Sequence, residues 1–246
     1  MLSGNIFFDV FGNRTKWFVF LLIYWSLSSL MGQNEPTETY TFRHGSNSLT
    51  AIDYNVEGLP YINENFINGV VINRNTKLTI PLRYNAYSDT FQAIDLQGDH
   101  NDVLKRRYIS VRLGDTLYQY FVFEDHLKFK KGYFKVISDG ETKLLSRTVK
   151  TIQDYIVPEH GYERGERPKF LTHTHYYIKK LGKPAKKLAH LSRKEVFAVL
   201  WDKFAELRSY ARKNKLRLRS VEEVVQTLAY YDSIKLPEEI PKEDVE

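Results

Sequence analysis

Between residues 48 and 180 the chain is broken by short turns and shows no helical period, a rhythm that restricts it to an antiparallel sheet. Residues 78–95 show the pattern best. Leu78, Ile80, Leu82 and Tyr84 fall on one side of a strand, and Thr79, Arg83 and Asn85 on the other. Alternation of period two marks a strand with one face on a core and one near water. A turn at Ser88-Asp89 and a returning strand complete a hairpin. Residues 49–56, 66–72, 108–113, 117–123, 132–138, 142–149 and 169–180 read as further strands. They are punctuated at 57–60, 73–76, 98–101, Gly114-Asp115 and Asp139-Gly140. The last pair is among the strongest hairpin signals, because both residues accept positive φ. Parallel strands need crossovers of a dozen residues or more, and the spacing leaves no room for them. The expectation is an α+β protein: a curved antiparallel meander of about eight or nine strands, a half-barrel or roll, over residues 47–180.

The pattern changes after residue 180. Ser192 with Glu195, and Ser220 with Glu223, are capping boxes, in which the serine accepts from the third amide and the glutamate reaches back. Val196, Phe197, Leu200, Phe204 and Leu207 recur at helical spacing behind the first, and Val221, Val224, Val225, Leu228 and Tyr231 behind the second. Residues 181–236 therefore read as a helical hairpin, linked by 213–219, that packs on the sheet.

The first 32 residues read as an export signal. Arg14 and Lys16 form the basic region, and 17–31 is an apolar run shorter than the ~20 residues of a membrane span. Gly32 offers a small residue for cleavage before Gln33, so the expected mature chain starts near Gln33, with an uncleaved anchor as the alternative. Residues 33–46 are polar and aperiodic, a flexible lead-in, and 237–246 form an acidic tail. The expected location is the periplasm or the cell exterior.

Composition narrows the chemistry. The 246 residues include no cysteine, which excludes disulfides, thiolate metal sites and a cysteine nucleophile. Tyr and Phe, 17 and 15 residues, favour strands and large buried contacts. The net charge of +6 is uneven, since residues 179–219 hold 14 basic and 3 acidic residues. Such an excess is either a solvated surface or a field that attracts phosphates, anionic glycans or an acidic partner.

Gly58-Leu-Pro-Tyr61, Leu82-Arg-Tyr-Asn85 with Tyr87 and Asp89, Gly132-Tyr-Phe134, Lys213-Asn-Lys-Leu216 and Tyr230-Tyr231 carry a resemblance. Over about residues 50–234 the chain resembles a set of uncharacterised exported proteins from Gram-negative bacteria. These have a β-rich body and a C-terminal helical pair. The resemblance implies export and architecture and transfers no chemistry. The helical segment in that set is lysine-rich; here Arg208, Arg212, Arg217 and Arg219 replace part of that.

Three groups are candidate sites. His173 and His175 would share a strand face about 7 Å apart, but zinc needs a third and usually a fourth ligand, for which His160, Glu159 or Glu163 are the nearby donors. The alternative is an ordinary polar face. Arg83 and Asn85 share a face beside Tyr87 and could read a carboxylate or sugar hydroxyls; the alternative is a polar ladder above a core Tyr84. Lys179, Lys180, Lys183, Lys186 and Lys187 could receive anionic glycan or lipid head groups. Lys105-Arg106-Arg107 reads as a solvated loop.

No nucleophile elbow, phosphate loop, His-Glu-x-x-His helix or Rossmann glycine pattern occurs. No catalytic residue or cofactor is assigned. Asp99/Asp102 and Glu124/Asp125 are carboxylate pairs placed in loops. Triads drawn from distant strands leave no local trace, so an envelope hydrolase stands as an alternative. The leading expectation is a non-catalytic envelope component that binds another envelope protein or an anionic envelope polymer. Intracellular nucleic acid is not an expected partner, and membrane contact is confined to an uncleaved N-terminal segment.

Overall fold

A computed structural model describes residues 41–44, 56–95, 97–154, 165 and 167–235. The expected signal segment, all but Val56 of the strand expected at 49–56, the candidate donors at 159–163 and the acidic tail lie outside the described residues. Among the described residues eleven strands form one continuous ladder: β1 (Phe42–His44), β2 (Ile67–Asn73), β3 (Thr76–Asn85), β4 (Thr90–Ile94), β5 (His100–Val103), β6 (Ile109–Leu113), β7 (Thr116–Asp125), β8 (Lys128–Val136), β9 (Lys143–Gln153), β10 (Lys169–Lys179) and β11 (Ala185–Leu188). Three helices follow: α1 (Arg193–Val199), α2 (Phe204–Lys213) and α3 (Val221–Ile234), with a 3₁₀ turn at Trp201–Lys203 between the first two.

The strand order is β1-β5-β4-β3-β2-β6-β7-β11-β10-β9-β8, and β8 pairs back onto β7. Strands β7 to β11 therefore close into a five-stranded barrel, while β1 to β6 continue from β7 as a curled open sheet. Among the described strands the pairings are antiparallel except β11 with β7, where Ala185 faces Phe123 and Lys186 faces Glu124; an isolated parallel bridge also joins Glu57 to Lys169. The sequence reading gave the α+β class and the antiparallel hairpins, but not the closed part or the parallel pairing. Three polar stretches become strands. Phe42–His44 lies inside the expected flexible lead-in and pairs with β5; His100–Val103 lies partly inside an expected loop; Ala185–Leu188 lies inside the expected helical region.

Alternation along β7 and β8 explains how one hairpin serves two cores. Tyr118, Tyr120 and Tyr133 point into the curled sheet, against Tyr84, Phe91, Val111 and Leu82. Phe121, Phe123 and Phe134 point the other way, into the barrel, with Leu145, Tyr177 and Ala185. The rings meet edge to face, for example Phe91 on Tyr133 at 4.9 Å and Phe134 on Tyr177 at 4.9 Å. Along β3 only the inner half is buried: Leu82 and Tyr84 are in the core, whereas Leu78 at the far end is 47% exposed.

The outer face of the barrel is covered by the helices. Leu144, Ile178 and Leu188 meet Val196, Phe197, Leu200, Leu207, Val224, Leu228 and Tyr231. Burying each of these large apolar side chains contributes roughly 1.5–3 kcal/mol. Both capping serines accept from the third amide, at 3.3 Å. The glutamates reach further than expected: Glu195 accepts from Ala189 N–H, and Glu223 from Arg217 and Arg219 N–H. Those last amides hold the Glu223 carboxyl below its usual range. The first expected helix breaks after Val199, leaving Trp201 and Phe204 74% and 48% exposed. Among the described residues the expected helix pair is thus three helices.

The Asp139-Gly140 turn also differs from expectation. Neither residue has positive φ. A Cβ on Gly140 would lie 2.7 Å from Asp232 Oδ2, the same oxygen that accepts from Thr142 N–H. Glycine is used there because the end of α3 docks on this loop. Lys235 completes the contact with ion pairs to Glu141 and Asp232; burial lowers its pKa, but the two carboxylates outweigh this and raise it.

Candidate functional site

The barrel closes incompletely at one end. Strands β8 and β9 pair only at Lys135–Ser146 and Val136–Leu145. Beyond that point the β3–β4 turn enters the gap: Ala86 O accepts from Lys150 N–H, and the Asp89 carboxylate accepts from Tyr133 N–H at 3.2 Å. Asp89 has φ 54°, a left-handed conformation that Asp tolerates better than most residues. Its Oδ1 accepts from Tyr84 O–H at 2.5 Å, and its Oδ2 lies 3.4 Å from the Arg147 guanidinium. Side chains of Asp89 and Arg147 are only 13% and 16% exposed. A Cβ on Gly132 would come within 2.9 Å of both, so this glycine supplies space rather than a turn. Burial first, then the Asp89 charge and its hydrogen bond, pushes the Tyr84 phenol well above its ordinary value, and burial with Asp89 does the same for Tyr133.

Register identifies the other groups at this mouth. Residues opposite one another in a ladder share a face, and the inward face carries Phe123, Lys130, Leu145, Arg147, His175, Tyr177 and Lys187. Arg147 stands opposite His175 and lies 4.9 Å from the Phe123 ring. Lys187 stands opposite Tyr177. Asp125, beside Lys130 at 2.7 Å, is the acidic member contributed by β7. The Lys130 hydrogen bond, with His126 and Lys187 nearby, holds Asp125 below the usual carboxylate range. Burial, then the charges of Lys187, His173 and Arg147, pushes the His175 imidazole below 6.5, against Asp125. The mouth thus combines an aromatic floor of Phe123, Phe134 and Tyr177 with a cationic rim of Lys130, Arg147 and Lys187. Such a surface can hold a carboxylate, phosphate or sulfate by charge-assisted hydrogen bonds.

The sequence candidates separate in the fold. His173 and His175 do share a face, their rings parallel and 6.4 Å apart. Among the described residues no group of three or more His, Asp or Glu side chains is placed to hold a metal ion. Of the charged side chains that act on His175, Lys187 and Arg147 are cationic and Asp125 is anionic, an excess of positive charge that opposes a cation. Of Arg83, Asn85 and Tyr87, the first two are bonded within the fold. Arg83 is clasped between Tyr61 and Phe66, 3.7 and 4.3 Å from their centroids, and hydrogen-bonds Gln92 and Tyr61. Asn85 is buried and accepts from Tyr87 and Ser88 N–H, building the β3–β4 turn. Tyr87 stays 42% exposed, edge-on to Phe170.

The five lysines do not form one patch either. Lys179 donates to Lys180 O at 3.0 Å, at the end of β10 away from His175. Lys180 is tied to Asp202 at 2.7 Å and lies over the Tyr231 ring. Burial pushes Asp202 up, but the bonds from Lys180 and Tyr231 outweigh it and hold the carboxyl low. Lys183 is in the β10–β11 turn, Lys186 shares the outer side with Glu124, and Lys187 alone reaches the mouth. Glu124 and Asp125 are neighbours on a strand, hence on opposite faces, and make no convergent acid pair.

Sequence reasoning missed Arg147, Asp89 and Lys130 as a group. The available signal was an arginine inside the strand run Leu144-Leu145-Ser146-Arg147, on the same alternation as a buried leucine. No family model matches the chain. Neither a curated protein nor a solved structure matches it.

Proposed function

We propose that this chain is an exported, non-catalytic binding component of the cell envelope, and that its ligand carries an anionic group received at the barrel mouth. The observation that carries this reading is the convergence of Arg147, Lys187, Lys130 and His175 over an aromatic floor, where three separate strand pairings meet. Export rests on the basic and apolar run at 14–31 and on the resemblance to exported Gram-negative proteins. Among the described residues no helix is long and apolar enough to cross a membrane.

The test is calorimetric titration with a heparin-like sulfated hexasaccharide at low salt. A charge-assisted hydrogen bond contributes about 1.5–3 kcal/mol, and about 1.4 kcal/mol is tenfold in affinity. Lys187→Glu should therefore weaken binding about tenfold or more. Lys183→Glu, in the turn at the other end of β11, should change it less than about twofold. Equal loss in both variants, or loss in neither, would remove the mouth as the binding site.

A further inference from the structure

We propose that the tip of the β7–β8 hairpin docks on the surface of an anionic phospholipid bilayer. Two-residue hairpin turns with both central residues at positive φ are normally made of Asn, Asp and Gly. Here they are His126 at φ 49° and Leu127 at φ 62°. A branched apolar side chain is therefore held at a position that disfavours it, and it points into solvent: Leu127 is 92% exposed. Phe129, two residues along the returning strand, is 71% exposed.

The charges around this apolar tip are mostly positive. Lys128, Lys130 and Lys131 are exposed next to it. Lys186 stands opposite Glu124 on the neighbouring strand, and Lys187 acts on Asp125. The acidic residues here are Glu124, opposite Phe129, and Asp125, already bound by Lys130. The lysines outnumber them, so an anionic surface is selected over a neutral one.

Size decides between a lipid and a protein occupant. A specific protein interface buries about 800 Å² on each partner, which two side chains on a protruding turn cannot supply. A bilayer requires only that an apolar tip enter the boundary between headgroups and acyl chains while lysine stems extend along it to the phosphates. The sequence reading confined membrane contact to the N-terminal segment; this tip is a second point of contact, more than ninety positions along the chain. The inference does not depend on the ligand of the mouth, and the experiments differ in their probe.

The absence of cysteine makes the test site-specific. His126→Cys, at a side chain that is 95% exposed, allows one environment-sensitive fluorophore to be placed at the tip of the full chain. A second labelled protein, Asp115→Cys, reports the turn at the opposite end of β7. Both are titrated with phosphatidylcholine vesicles and with vesicles containing phosphatidylglycerol. The expected result is a blue shift of the tip label alone, with phosphatidylglycerol alone, reduced at high salt. Adding Leu127→Gly and Phe129→Ser to the tip-labelled chain should weaken the partitioning at least tenfold with the thermal transition retained. The proposal is overturned by no shift, by a shift that survives the double substitution, or by a shift that rises with protein concentration in the absence of vesicles. The last would mean that a second copy of the chain covers the tip.

Discussion

The curled sheet and the barrel are built on the same hairpin, yet they treat polarity in opposite ways. In the curled sheet the two most deeply buried phenolic hydroxyls are turned to fixed acceptors: Tyr84 to Asp89, and Tyr133 to Leu104 O. In the barrel the buried cluster is Phe123, Phe134, Leu145, Tyr177 and Ala185, and Lys130, Arg147 and Lys187 share its inward face toward the β7–β8 turn. A buried polar group costs free energy unless it is paired, so the first region has little freedom to change partners. The second places Lys130, Arg147 and Lys187 at a rim, where the first two already meet Asp125 and Asp89. Under the function proposed above, the sheet is the scaffold and the barrel mouth is the working surface. Asp89 and Arg147 are where the two meet.

The strongest way to break that division is Asp89→Ala. It leaves Arg147 without its carboxylate and Tyr84 O–H and Tyr133 N–H without an acceptor. Loss of one partner of a buried pair costs about 3–5 kcal/mol, which should appear as a lower urea midpoint for the whole chain. Gly132→Ala attacks the same junction by volume alone. Its Cβ meets two side chains at 2.9 Å, and overpacking of this kind costs about 1–3 kcal/mol. Of the two, the alanine at 89 should be the more damaging.

Acid sharpens the comparison, because it acts on the mouth first. His175 is held below 6.5, so the folded state binds fewer protons than the unfolded one. Its contribution is present above pH 6.5 and is lost as pH falls from there through the lower folded value. His175→Gln should flatten the stability profile on the acid side of 6.5, as read by urea midpoints across pH. The smallest effect belongs to the hairpin tip. Leu127→Gly relieves a left-handed leucine but gains chain entropy when unfolded, for a net stabilisation of about 0.5 kcal/mol. A thermal scan resolves it, and a decrease would show that Leu127 is supported by contacts within the chain.

Where local chemistry dominates, the fold was legible. Arg74-Asn75 and Gly114-Asp115 turn as the sequence implies, both serine caps form, and the Val224, Leu228, Tyr231 stripe is buried. The errors share a cause, which is that long-range pairing overrode local pattern. The β5 sequence His-Asn-Asp-Val and the β11 sequence Ala-Lys-Lys-Leu have no strand character of their own, and each is held by strands on both sides. The His126-Leu127 turn contains no turn-forming residue, and the helix break after Val199 is hidden because the apolar period continues across it. Of the site, His175 and Lys187 were visible as residue types, whereas Asp89 and Arg147 are 58 positions apart and meet only through topology.

The shared hairpin also means that the described sheet, β1 to β11, has no place to be divided. A fragment beginning at β7 would present Tyr118, Tyr120 and Tyr133 to water along one flank of the barrel, and a fragment ending at β6 would lose the aromatic lid of its own core. Neither piece could be expressed alone with a dry interior. Shortening or swapping either half by recombination should therefore yield aggregates, and any change inherited by one half must be accepted by the other.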